Sequence, residues 1–138
     1  MSIVQTQTTS FKKELYQAVH NLSTDTLKIA LYTGNANLNA DTTVYSTTNE
    51  VSATGYTAGG NTLTGVAISS SDYTAYVNWA NTSWSAALTA RCALIYNVTQ
   101  GNKSIAVIDF GADKTSTTTF TITMPSNTST TALIRSSN

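Results

Sequence analysis

The chain has 138 residues, room for one domain and too few for two with separate cores. Seven Lys and Arg balance seven Asp and Glu, and only 10% of residues are charged, against about 25% in an ordinary soluble domain. This excludes the clustered cations that phosphate binding needs, so no nucleic-acid partner is expected, and a single Cys excludes an intrachain disulfide framework or a multi-cysteine metal site.

Thr (27) and Ser (16) fill about 31% of the chain, yet 41% of residues are apolar, enough to bury a core. No apolar run approaches the roughly 18 residues of a membrane-spanning helix, so no membrane partner is expected either.

Residues 1–9 read as a polar N-terminal arm without the basic start and apolar stretch of a secretory signal, which predicts cytoplasmic synthesis. Residues 10–22 read as the one helix. Phe11, Leu15, Ala18, Val19 and Leu22 fall on a single apolar stripe, and Ser10 stands at the N-cap position. Such a helix either caps an open end of the β-structure or docks on a partner through Phe11 and Leu15. His20, near its end, is expected to be exposed or half-buried.

From residue 27 the hydrophobic period changes to two. Residues 27–33 (LKIALYT) read as a buried strand, closed by Gly34-Asn35. Gly55, Gly59 and Gly60 predict a bend that residues with a Cβ would resist. Residues 63–68 and 73–79 alternate, and 83–85 carry Trp84. Residues 89–97 and 104–110 are the strongest core strands, joined by a turn at Gly101-Asn102. In 119–124, Phe120, Ile122 and Met124 are expected inward and Thr119, Thr121 and Thr123 outward, with Pro125 as the stop. Residues 132–135 make a short last strand.

The resulting fold class is mainly β: an antiparallel β-sandwich or compact barrel of about seven to eight strands over residues 27–135, with one short N-terminal helix, all within a single domain 1–138. Its edge strands lack the usual Lys and Glu, which predicts that neighbouring subunits cover them.

Nothing in the sequence assembles a catalytic site. Asp109-Phe110-Gly111 resembles a kinase metal-binding tripeptide but stands without the other kinase parts, and reads as a strand end. Cys92 lies in an apolar strand, where a buried thiol is expected rather than a nucleophile paired with His20. The seven carboxylates are scattered, and the nearest pair, Asp109 and Asp113, offers too few oxygens for calcium. The Gly55 to Gly60 segment lacks the Lys-Ser/Thr of a phosphate cradle. No enzyme activity, cofactor or metal ligand is therefore expected. Five Asn-x-Ser/Thr sequons, at Asn21, Asn81, Asn97, Asn102 and Asn127, are about what this composition gives by chance.

The aromatics are the remaining candidates. Tyr73, Tyr76, Trp79 and Trp84 lie within twelve residues. They are expected to fill the core or a subunit interface, the alternative being a platform on which sugar rings stack.

Several segments together carry a resemblance: KIALYT (28–33), GYTAGG (55–60), ARCALIYN (90–97) and DFGADK (109–114), preceded by the helix SFKKELYQAVHNL and closed by ALIR. The chain resembles, over residues 10–135, a family of small tailed-phage virion structural proteins. Cys92 departs from the pattern, where a small residue such as Gly is expected. The family has no catalytic residues to carry over. The resemblance implies a non-enzymatic, copy-rich virion protein made in the host cytoplasm, first of all a capsid decoration (cement) protein on the capsid surface. Its implied partners are the major capsid protein and its own copies, as dimers or trimers at lattice junctions. The alternatives are a neck, tail or fibre-attachment component and, in another class, a glycan- or receptor-binding module. Phe11, Leu15, Tyr73, Tyr76, Trp79 and Trp84 are the candidate interface or docking residues.

Overall fold

Residues 2–137 are described by the computed structural model. Its elements are β1 (Thr6–Gln7), α1 (Thr9–Tyr16), β2 (Leu27–Tyr32), β3 (Asn61–Thr62), β4 (Ala67–Ser71), β5 (Thr74–Asn78), β6 (Thr82–Trp84), β7 (Thr89–Asn97), β8 (Lys103–Thr115), β9 (Phe120–Ile122) and β10 (Ile134–Ser137). They form a five-stranded sheet ordered β1-β8-β7-β2-β3, a three-stranded sheet ordered β10-β5-β4 and a two-stranded sheet of β6 and β9, with every ladder antiparallel. The architecture is mainly β and consistent with a sandwich, as the alternating pattern predicts.

The apolar residues of the large sheet divide between its two faces. On one, Leu27, Ile29, Leu31, Ala93, Ile95 and Ile105 pack against Val77, Trp79, Trp84, Phe120, Ile122 and Ile134 from the two smaller sheets. On the other, Ala30, Tyr32, Cys92, Leu94, Tyr96 and Val107 are covered by Ala36 and Leu38 and flanked by Ile3 and Tyr45. Burial on both faces explains why β2 and β7 read as nearly continuous apolar runs rather than strict alternations. At about 25 cal/mol per Å² this double burial is the main stabilising term of the fold.

Three sequence expectations need correction. The helix covers only Thr9–Tyr16, and its N-cap is Thr8, whose Oγ1 accepts the Phe11 N–H at 3.2 Å, not Ser10. Its C-terminus is a Schellman turn: Val19 N–H donates to Glu14 O and Ala18 N–H to Leu15 O, with Ala18 at φ +57°. The apolar positions beyond Tyr16 belong to the chain after this turn, where Leu22 packs on the core. Residues 63–68 do not form one strand, because Gly65 sits at φ +65° and separates β3 from β4. The strand expected to end at Phe110 runs on to Thr115 through an irregular bulge with three extra residues on β8, in which the register passes from Cys92↔Asp109 to Ala90↔Lys114 around Gly111 (φ +84°).

The N-terminal arm is not loose. Thr6 pairs with Val107 and Gln7 with Ala106, while Leu38 N–H donates to Ser2 O and Val4 N–H to Leu38 O. The turns expected at Gly101-Asn102 and found at Asp72-Tyr73 both place two successive residues at positive φ, the first within the five-residue β7–β8 loop and the second as a two-residue hairpin loop.

Candidate functional site

The six candidate interface residues separate into two sets. Phe11 is fully buried and stacks at a tilt on the His20 ring, 5.1 Å between centroids. Trp79 and Trp84 are buried in the core, and Trp84 meets Tyr56 and Phe120 at centroid distances of 5.9 and 6.2 Å. These three cannot contact a partner, which corrects the docking role given to Phe11, Trp79 and Trp84. It also removes the four-ring platform for a glycan. Burial follows from position: Trp79 and Trp84 flank the ends of β5 and β6, where these strands cover the large sheet.

Leu15, Tyr73 and Tyr76 remain at the surface. Tyr73 is 95% exposed at the tip of the β4–β5 hairpin, Leu15 lies on the outer side of α1, and Tyr76 is half-buried. A groove of about 370 Å³ between the end of α1 and the three-stranded sheet is lined by Leu15, Leu22, Ile68, Tyr76, Val77 and Ile134. Within that sheet the row Ile134–Val77–Ile68 runs from β10 through β5 to β4. The first two are buried and Ile68 is 55% exposed, because β4 is the outermost strand.

All five residues of β4 are exposed, and it contains no charge and no proline. The other outer strands are shorter or covered. β1 and β3 have two residues each, and Asn61 on β3 uses its side-chain amide to bridge to Thr82 Oγ1 and Ser83 O of β6. The outer side of β10 is reached by Gln7 Nε2, which donates to Arg135 O at 2.8 Å. The edge of β4 beside the apolar groove is thus the candidate site, an interaction surface rather than a reaction centre. Ile68, which completes it, is not singled out by the sequence pattern, because the alternation over 63–68 reads as one strand. That range hid the Gly65 break and the Val66 to Ser71 run beyond it.

Two partly buried polar clusters hold the scaffold. In the first, Glu50 accepts hydrogen bonds from Tyr45 Oη (2.6 Å), Tyr56 Oη (2.6 Å) and Gly59 N–H (2.7 Å), while Tyr96 Oη donates to Gly59 O. Tyr45 stacks on Tyr96 at 4.5 Å. Burial, then the hydrogen bond to the Glu50 carboxylate, pushes the Tyr45 and Tyr56 hydroxyls well above their ordinary range, and burial with the Glu50 charge pushes Tyr96 up to about 12. This cluster fastens the glycine-rich bend, whose tightness is set at Gly60: a Cβ there would lie 1.8 Å from Ile29 O, at φ +80°.

In the second cluster His20 is buried, where an exposed or half-buried position is expected from the sequence. Its Nε2 is 2.9 Å from Glu14 Oε1, and Asn97 Nδ2 donates to its Nδ1 and to Asp25 Oδ2. The Schellman turn that shortens α1 is what brings His20 inward. Burial works against the Asp25 carboxylate, but hydrogen bonds from Asn21 N–H and the Asn97 amide hold it below the ordinary carboxyl value. Cys92 is fully buried in β7, and burial lifts its thiol to about 12, as the buried-thiol reading expects. Asp109 pairs with Arg91 Nε at 3.2 Å and accepts the Gly111 N–H at 2.8 Å, so it shapes the bulge.

Among the described residues, no group of three or more His, Cys, Asp and Glu side chains is placed to hold a metal, and no helix is long and apolar enough to cross a membrane. No family model matches the chain, and neither a curated protein nor a solved structure matches it at a significant level.

Proposed function

We propose that this chain is a non-enzymatic structural protein of a tailed-phage virion, acting as a capsid decoration protein that binds the major capsid protein lattice and stabilises the head. The observation that carries this reading is the open, uncharged edge of β4 beside the apolar groove of Leu15, Ile68 and Tyr76, on a chain with zero formal net charge. A free monomer ordinarily protects such an edge with charge or proline, so its retention fits a chain whose working state is an assembly. A surface with few charges presents little electrostatic barrier to close packing, and each occupied contact stabilises the assembled shell by mass action. The motifs quoted above supply the virion context.

The test is stoichiometry. Quantitative mass spectrometry of purified virions should give about one third to one copy of this chain per major capsid protein, because decoration sites recur with the capsomers. A ratio of about a few per cent would move the chain to the neck, tail or fibre attachment and overturn the decoration reading.

A further inference from the structure

We infer that β4 is the seat of a two-fold homodimer, in which two copies join their three-stranded sheets, edge to edge, through antiparallel β4–β4 pairing centred on Ser69. The inference rests on the reading of this face as an assembly surface and names its first occupant, a second copy of this chain.

The hydrogen-bond pattern carries it. Asp72 and Tyr73, both at positive φ, form the two-residue loop between β4 and β5, with Ser71 opposite Thr74. In such a hairpin the pair flanking the loop exchanges hydrogen bonds and the pattern alternates from there. Ser71, Ser69 and Ala67 therefore turn their backbone groups toward β5, while Ser70 and Ile68 turn theirs outward. Among the described residues, no backbone hydrogen bond outside the β4–β5 ladder reaches Ala67–Ser71. These outward donors and acceptors need a partner strand, and a second β4 supplies their complement. With the axis through Ser69, Ile68 faces Ser70 of the partner subunit and Ser70 faces the partner's Ile68. All four outward N–H and C=O groups of each copy are then paired, and all five residues of the strand find an opposite number.

Charge favours the same occupant. Asp72 is the one charged residue between residues 65 and 82. An antiparallel two-fold through Ser69 keeps the two Asp72 side chains six residues apart, about 20 Å along the strands, beyond the Debye length of about 8 Å at physiological salt. Two copies therefore approach without repulsion. The exposed Ile68 side chains sit diagonally across the axis, each beside a groove that Leu15 and Tyr76 already line. A five-residue strand with this apolar margin belongs to the small end of specific interfaces, so the dimer is concentration-dependent.

Sedimentation of the full chain from about 1 μM to about 1 mM, a span covering moderate to weak affinities, should show the mass rising from one 14.6 kDa subunit toward two. Ile68→Lys should weaken this association at least about tenfold, and Ser70→Pro, which removes an outward N–H, should do the same. The register has its own readout: Ser69 lies at a non-hydrogen-bonded position of the new pair, with Cα atoms about 4.5 Å apart, so Ser69→Cys should form an intermolecular disulfide on mild oxidation while Ser71→Cys should not. The native Cys92 is fully buried and does not compete. A chain monomeric throughout the range overturns the proposal. So does a dimer unmoved by Ile68→Lys in a protein whose circular dichroism is unchanged, or one that cross-links through Ser71→Cys instead. A monomer that still decorates virions at about one copy per capsid subunit would sink the dimer and leave the decoration reading standing.

Discussion

The five-stranded and three-stranded sheets share a core but solve the problem of their surfaces differently. In the large sheet β7 lies between β2 and β8 and both faces are roofed, so Cys92, Leu94 and Ile95 are all fully buried. Its outer strands are two-residue stubs, one supplied by the N-terminal arm and the other tied to β6 through Asn61. The small sheet buries only Val77, Asn78 and Ile134 and leaves β4 exposed along its whole length. A chain able to finish one sheet within its own length has left the other unfinished, and the difference separates what folds the subunit from what it offers outward.

The sharpest way to break this division is to disturb the large sheet at its tightest point. Gly60→Ala forces a Cβ into Ile29 O and into an unfavourable φ; the expected loss exceeds about 4 kcal/mol, and the variant should lack the native circular dichroism spectrum. Trp84→Ala should cost about 3–5 kcal/mol in urea unfolding, since it empties the space between Tyr56 and Phe120. Trp84→Phe should cost clearly less, because it also deletes an indole N–H that has no hydrogen-bond partner among the described residues.

The tyrosine cluster adds a pH dependence. Tyr32, Tyr45, Tyr56 and Tyr96 all have hydroxyls raised above the ordinary value of 10.0, first by burial and then by the Glu50 charge and its hydrogen bonds. Each ionises more readily in the unfolded chain, so its contribution is whole below pH 10.0 and is lost as pH rises through the raised folded values. The urea midpoint should therefore fall steadily above pH 10, and a flat alkaline limb would show that the cluster is open to water. At the other end of the scale, Tyr73→Ser at the hairpin tip should shift stability by no more than about 0.5 kcal/mol. A larger loss would mean that the small sheet is as closed as the large one.

The sequence made the large sheet legible and the small one much less so. Residues 89–97 coincide with β7 because a doubly buried strand leaves an unbroken apolar run whose ends are marked by polar residues. The β4–β5 hairpin was blurred because Ser and Thr fit a strand surface and a loop equally well, and Asp72-Tyr73 carries no glycine to announce a tight turn. The helix was read too long for a different reason. Ala18, Val19 and Leu22 keep helical spacing, and the left-handed Ala18 that ends α1 has no signature in a residue that favours helices. The expectation of an exposed or half-buried His20 follows from that longer helix. Composition alone could not separate Tyr73 from Trp84, since both are large aromatics in one stretch; strand position alone sends one outward and the other into the core.

The pairing of Thr6–Gln7 with Ala106–Val107 also sets an order in time. These partners lie about a hundred residues apart, so at about 5–20 residues per second the arm waits about 5–20 seconds for its strand to be synthesised. The wait extends to the helix, because Thr8 N–H bonds to Ile105 O and Phe11 belongs to the same core. A segment synthesised about a hundred residues ahead of its partner is thus among the last to reach its place.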